Sequence, residues 1–388
     1  MSTAHRLGLE PIATPDRLLL GPGPSNAHPT VLKALSRTPI GHLDPLYIEL
    51  RGEVQELLRY VWQTDNRLTI PMSGTGSAAM EATLANTVER GDKVLVAVMG
   101  YFGLRLVDMA GRYGAEVITI ERPWGEAFSL DEIAQALALH KPAILAMVHA
   151  ETSTGVCQPM QGIGDLCREH DCLLLLDTVT SLGGVPLLLD EWKVDLAYSC
   201  SQKGLSCPPG LGPFTMGPRA EAKLLSRSGK VPNWYLDVSL LNQYWGSNRV
   251  YHHTAPVNMN FGMREALRLL AEEGLEAAWA RHRSNAERLW AGLEALGLEL
   301  HVPEDLRLAT LTTVKIPEGV DGKAFSLHLL NRHGIEVGGG LGALAGQVWR
   351  IGLMGYNSTP DNVERLLQLF ASELPAFQPN APVAVSLV

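Results

Sequence analysis

The chain has 388 residues, 46% of them hydrophobic and 19% charged, with a formal net charge of −9. That length suggests roughly two or three domains, and the composition is that of a globular protein with a large core, not a disordered or fibrous one. The acidic balance argues against a nucleic-acid or anionic-membrane surface, and no uninterrupted apolar run reaches the length of a membrane span.

In chain order, the opening M-S-T-A-H-R-L-G-L-E lacks the apolar stretch of a secretory signal, and the closing V-S-L-V is not a peroxisomal address. A cytoplasmic location is therefore expected. Residues 1–20 read as an irregular arm. Gly21-Pro-Gly-Pro-Ser-Asn26 follows, either a plain tight connection or a rigid edge lining a pocket, with Gly23 allowing close approach. From residue 30 to 64 the spacing of apolar residues is helical, interrupted by I-G-H-L-D-P. His42 in that break could touch a substrate or a neighbouring chain.

A brief strand at 67–70 leads into Ser73-Gly-Thr-Gly-Ser-Ala-Ala-Met-Glu81 and a helix to about Val88. Strand, glycine-rich turn and helix form a phosphate cradle, because bare N–H groups and the helix dipole face the anion. The run also matches the dinucleotide pattern G-x-G-x-x-A, which wants an acid at the end of the next strand. That strand, 93–98, ends instead in Met99-Gly-Tyr-Phe-Gly103. Phe102 there suits stacking on a flat ring or plain core packing.

Alternation continues with a helix over 104–113, a strand over 116–120 and a helix over 129–140 opened by the capping box Ser129–Glu132. A strand over 143–149 runs into the polar cluster His149-Ala-Glu-Thr-Ser-Thr-Gly155, and a helix over 161–170 leads to the strand that ends in Asp177. The segment Asp195–Gly204 carries another short strand and Lys203, before a final strand at 214–216. This rhythm predicts an α/β fold, a mostly parallel sheet covered by helices. Residues 229–257 read as loop-rich, 260–297 as one long helical pattern, and the remainder as a small α/β unit with strands at 308–316 and 348–351 and helices at 323–333 and 361–372. The expected division is an arm over 1–20, a large domain over 21–270 and a small one over 271–388.

All five cysteines lie between Cys157 and Cys207, an odd number without C-x-x-C spacing, so neither a disulfide framework nor a zinc site is expected. Adjacent His252 and His253 rarely converge on one ion, and no metal is expected.

Of nine lysines, only Lys203 directly follows a strand and precedes a Pro/Gly turn. A desolvated lysine keeps a lone pair and makes a good Schiff-base nucleophile. Asp177, after four leucines, wants a cationic partner; it could meet a protonated pyridine nitrogen or cap the next turn. A lysine and an acid at strand ends are the protein's side of pyridoxal 5'-phosphate chemistry. Arg350, in V-W-R-I-G-L, wants a bidentate carboxylate from the protein or from a substrate.

With S-Q-K-G-L-S-C-P-P-G, L-L-L-D-T-V-T-S-L-G-G, L-L-L-G-P-G-P-S-N and Y-H-H-T-A-P in one chain, the sequence resembles the alanine–glyoxylate (serine–pyruvate) aminotransferases of the class V, fold-type I pyridoxal-phosphate family. The resemblance implies a large cofactor-binding domain and a small C-terminal one. Lys203 would bind the cofactor covalently and move the proton. Asp177 would pair with the ring nitrogen, Val179 and Phe102 would pack on the ring, and Gly76, Ser77 and Gln202 would hold the phosphate. Thr152 would stand near the phenolic oxygen, and Arg350 would clamp the substrate carboxylate beside Gly23. Tyr251 and Thr254 would reach the phosphate of the partner subunit, which implies a homodimer with the arm lying on its neighbour. Two departures stand out: Phe102 occupies a position where the family often has tryptophan, and Ser77 one where some members have histidine.

The expected reaction moves an amino group from a small amino acid, alanine or serine, to a 2-oxo acid, glyoxylate above all. The absence of an obvious second cation for a side-chain carboxylate points to small donors. The rivals are a lyase or desulfurase on the same fold, a nicotinamide oxidoreductase and a non-catalytic binding protein. The desulfurase lacks a cysteine after Cys207, and the oxidoreductase lacks an acid after Val98.

Overall fold

The computed structural model describes residues 10–246 and 249–378; the first nine residues of the expected arm and the chain beyond 378 lie outside them. A short β1 (Leu18–Leu19) runs into the Gly21–Asn26 turn, then come α1 (Pro29–Leu35) and α2 (Pro45–Trp62). The break between these helices falls at I-G-H-L-D-P because Pro45 supplies the fixed φ of a first helical turn and Asp44 accepts from Leu46 N–H.

The alternating part runs β2 (Leu68–Ser73), α3 (Gly76–Thr87), β3 (Lys93–Val98), α4 (Tyr101–Arg112), β4 (Glu116–Glu121), α5 (Leu130–His140) and β5 (Ile144–Val148). A hairpin of β6 (Ala150–Glu151) and β7 (Val156–Cys157) precedes α6 (Ile163–Glu169), β8 (Leu173–Asp177), β9 (Leu196–Tyr198) and β10 (Leu211–Met216). These make one sheet in the order β2-β10-β9-β8-β5-β3-β4, in which β10 alone runs against its neighbours. The central strands β5 and β8 are continuous apolar runs buried along their whole length, as strands covered by helices on both faces must be. The capping box at Ser129 and Glu132 forms in both directions.

Helices α7 (Pro218–Leu225), α8 (Val238–Trp245), α9 (Val257–Glu273) and α10 (Leu275–Ala295) follow. The loop-rich reading of 229–257 missed α8, which Asp237 caps through Ser239 N–H. The single helical pattern over 260–297 divides at Gly274, whose φ of +83° ends α9 and starts α10. The C-terminal part contains β11 (Leu311–Lys315), α11 (Gly322–His333), β12 (Ile335–Glu336), β13 (Gly338–Gly339), β14 (Val348–Gly352) and α12 (Pro360–Glu373).

Two apolar clusters hold the molecule together. The larger fills the space around the seven-stranded sheet; the second gathers Leu289, Trp290, Phe325, Trp349 and Phe370 from the C-terminal elements. Helix α10 joins them, placing Leu275 in the first and Ala286 to Leu293 in the second. Strand β1 pairs with β12, so Leu20 packs in the second cluster and the following turn is carried back over the carboxyl ends of the large sheet. Among the described residues no helix is long and apolar enough to cross a membrane.

Candidate active site

Parallel pairing sets Asp177, the last residue of β8, beside Tyr198, the last of β9, at the edge where such sheets bind ligands. The Tyr198 hydroxyl donates to Asp177 Oδ2 at 2.6 Å, and Val179 N–H donates to Oδ1 at 2.8 Å. The turn-capping alternative is thus met through Val179, yet each oxygen keeps acceptor capacity. Burial raises the Asp177 pKa, opposed by these hydrogen bonds and by Lys203. A cation reaching this carboxyl would favour its ionised form further.

Lys203 follows β9 on a tight turn in which Ser206 N–H donates to its carbonyl. Its side chain is 7% exposed, and Nζ donates to Thr152 Oγ1 at 2.9 Å and Thr180 Oγ1 at 3.1 Å. Burial depresses its pKa to about 8. The Gly21–Asn26 turn backs it. Gly23 has φ +111°, and a Cβ there would stand 3.0 Å from Lys203 Cε. Ser25 hydroxyl donates to the Lys203 carbonyl at 2.9 Å, and Ser25 N–H to the Gln202 carbonyl at 2.8 Å. The turn is therefore a wall of the site, not a plain connection.

Helix α4 begins at Tyr101, three residues earlier than its sequence pattern suggests. Its first N–H groups are satisfied from the β6–β7 hairpin: Tyr101 N–H donates to Ser153 Oγ at 2.9 Å and Phe102 N–H to Glu151 Oε2 at 3.2 Å. A tertiary cap of this kind leaves no local signature. Gly100 is required by close approach, since a Cβ there would fall 2.4 Å from Glu151 Cγ. The cap holds the Phe102 ring in the cavity wall, 5.8 Å from Lys203 Nζ, with the Arg105 guanidinium 4.8 Å from the same ring.

At the opposite end, α3 starts at Gly76 with Thr75 as N-cap, but no side chain takes its free N–H groups. A Cβ on Gly76 would meet Cys200 Cβ at 2.7 Å, so glycine lets the helix start approach the Lys203 strand. Gln202 turns a buried amide oxygen that finds no partner. Open helix N–H groups and the Ser77 hydroxyl fit a phosphate group; Gln202 would serve it through its amide nitrogen, because the oxygen only accepts.

Arg350, on β14, is 6% exposed. It donates from Nε to Gly339 O at 2.7 Å and from a terminal nitrogen to Thr152 O at 3.3 Å. Burial lowers its pKa to about 10, so it stays charged at neutral pH. Among the described residues no carboxylate lies within ion-pair distance of it. Of the two partners the sequence left open, no protein acid pairs with it among the described residues, and Glu151 acts on it only through its charge.

These groups share one cavity of about 420 Å³: Gly23, Gly76, Ser77, Phe102, Thr152, Asp177, Val179, Gln202, Lys203 and Arg350 all line it. Tyr251 and Thr254 do not; both are exposed and lie away from it on the same chain. His42 packs against Tyr251, ring centroids 5.5 Å apart. His252 and His253 hydrogen-bond to each other through their Nδ1 atoms at 2.9 Å, and His253 Nε2 pairs with Ser73 Oγ at 2.7 Å.

Four site residues were not singled out from sequence. Tyr198 and Thr180 hold Asp177 and Lys203. Glu151, fully buried, accepts from Ser153 N–H and Oγ as well as from Phe102. It sat unremarked inside the noted polar cluster. Arg105 corrects the expectation that no second cation faces the site.

The family model described as aminotransferase class V matches residues 31–366. Alanine–glyoxylate aminotransferase of Mus musculus is 42% identical over 369 residues, 94% of this chain and 89% of that protein. The (S)-ureidoglycine–glyoxylate transaminase of Bacillus subtilis (strain 168) is 39% identical over 92% of this chain and 90% of its own. The crystal structure of alanine–glyoxylate aminotransferase from Nostoc sp. superposes with a TM-score of 0.94 at 64% identity, covering 96% of this chain and 98% of that one. A NifS-like protein, 18% identical with a TM-score of 0.71, shares the fold.

Proposed function

The chain belongs to the class V aminotransferase family, and from that premise we propose that it is a pyridoxal 5'-phosphate-dependent transaminase passing an amino group from alanine or serine to glyoxylate. The observation that carries this reading is the placement of Lys203, Asp177 and Arg350 on one cavity: a buried amine, a buried acid and an unpaired guanidinium. The alanine–glyoxylate and (S)-ureidoglycine–glyoxylate enzymes reported above carry glyoxylate in their names. A cavity of about 420 Å³ that must take cofactor and substrate together favours small donors.

When bound, pyridoxal phosphate supplies the electron sink that makes an amino acid's α-proton removable. The chain's own groups do the rest. Lys203 Nζ, with a pKa near 8, offers a lone pair close to neutral pH and carries the α-proton, oriented by the Thr152 and Thr180 hydroxyls. Asp177, fixed by Tyr198 and Val179, holds a proton on a ring nitrogen. The start of α3 with Gly76, Ser77 and Gln202 binds the phosphate, and Phe102 and Val179 flank the ring. Arg350 grips the substrate carboxylate by its fork and so fixes which bond at Cα faces the lysine.

Because Tyr251 and Thr254 are exposed and off their own cavity, the reading includes a homodimer in which each chain lends these two residues to its partner's phosphate. The direct test is a two-step assay. Alanine should convert the bound cofactor to its amine form with release of pyruvate, and glyoxylate should reverse this with release of glycine. Sulfide from cysteine, or no amino transfer at all, would overturn it. A mixture of Lys203→Ala and Tyr251→Ala chains should regain activity on reassociation, since one site of each hybrid is intact; unchanged inactivity would refute the shared site.

A further inference from the structure

Away from the cavity, three metal-ligating side chains converge where two helices end. His328 and His333 lie on α11, and Glu373 is the last residue of α12. His328 Nε2 is 2.8 Å from one Glu373 oxygen and His333 Nε2 is 3.7 Å from the other. One ligand atom from each lies within 4.8 Å of the other two. The His328–Glu373 contact is an ordinary hydrogen bond, but it leaves His333 unexplained: its Nε2 is buried and has no hydrogen-bond partner. An unpaired imidazole nitrogen 3.7 Å from a carboxylate oxygen is placed to share an ion with it.

The surroundings favour a cation. Both helices direct their C-terminal ends here, the negative pole of the helix dipole. Phe377 closes one side, its ring centroid 5.3 Å from that of His328. The side chains themselves remain 27%, 27% and 32% exposed, which leaves a path for entry and room for a water ligand. Arg365 donates to the His333 carbonyl and not to the ligand atoms.

The geometry points to a zinc-binding site formed by His328, His333 and Glu373, clipping α11 to α12, with water as the fourth ligand. Two imidazoles and one carboxylate suit zinc and its borderline neighbours, not calcium or magnesium. Bonds of about 2.0–2.2 Å to a tetrahedral ion put ligand atoms about 3.4 Å apart; here one ligand atom from each residue lies within 4.8 Å of the other two, and the histidines approach the two Glu373 oxygens at 2.8 and 3.7 Å.

The test is a zinc titration of EDTA-stripped holoenzyme against a chromophoric chelator. We expect one zinc per chain, a zinc-dependent rise in melting temperature, and loss of both in His333→Gln and Glu373→Gln, with affinity down roughly tenfold or more in each. Metal-free transaminase activity of these variants should match the parent, because none of the three residues lines the cavity. Cobalt(II) in place of zinc reads the ligands without a mutation, through the intense visible bands of a tetrahedral site. Failure to bind zinc, undiminished binding in both variants, or cobalt spectra without tetrahedral bands would overturn the assignment.

Discussion

Replacing Arg350 separates substrate recognition from everything else the site does. Among the described residues its guanidinium has no acidic partner, and it spends two donors on the carbonyls of Gly339 and Thr152. A substrate carboxylate gripped by the remaining donors makes two charge-assisted hydrogen bonds, each about 1.5–3 kcal/mol. Arg350→Met should therefore lose about 3–6 kcal/mol of transition-state stabilisation for alanine, roughly a 10²- to 10⁴-fold fall in kcat/KM. Folding should suffer far less, since the substitution also removes a desolvated charge while leaving two carbonyls short of a donor. Arg350→Lys keeps the charge but not the fork and should lie between. The assay is the single-turnover conversion of bound cofactor by alanine and, as a control, by ethylamine, which has no carboxylate. A fall for alanine within threefold, or an equal fall for both amines, would refute the carboxylate assignment.

The pH dependence of cofactor capture follows from burial of Lys203. With its pKa near 8, the reactive neutral amine forms as pH rises, so the rate at which apoenzyme takes up pyridoxal phosphate should climb through about pH 8 and level above it. A midpoint near that of a free lysine would contradict this. Gly23→Ala adds a Cβ at φ +111° and 3.0 Å from Lys203 Cε; because the lysine is the part that can yield, kcat should fall by about 10²-fold while circular dichroism stays unchanged. Gly100→Ala drives a Cβ to 2.4 Å from Glu151 Cγ and should cost about 1–3 kcal/mol of stability, read as a lower melting temperature together with weaker cofactor binding as Phe102 shifts.

What sequence made legible was whatever has a local cause. Apolar runs gave β5 and β8, the Ser129–Glu132 box gave the start of α5, and strand ends followed by polar residues gave Asp177 and Lys203. What it hid was supplied by distant chain. The start of α4 depends on Glu151 and Ser153, fifty residues on, so its first turn, with Phe102, read as loop. The division of 260–297 turned on one left-handed glycine that a helical pattern tolerates. Tyr198 and Thr180 acquired their roles through strand register and a turn, neither visible in spacing.

The central claim is that the Lys203 amine is the group joined to the cofactor aldehyde. Borohydride reduction of the holoenzyme, followed by digestion and mass spectrometry, tests it most directly. Lys203 and no other lysine should carry a pyridoxyl group, and the label should disappear in Lys203→Ala. A label on another lysine, or none on either protein, would contradict it.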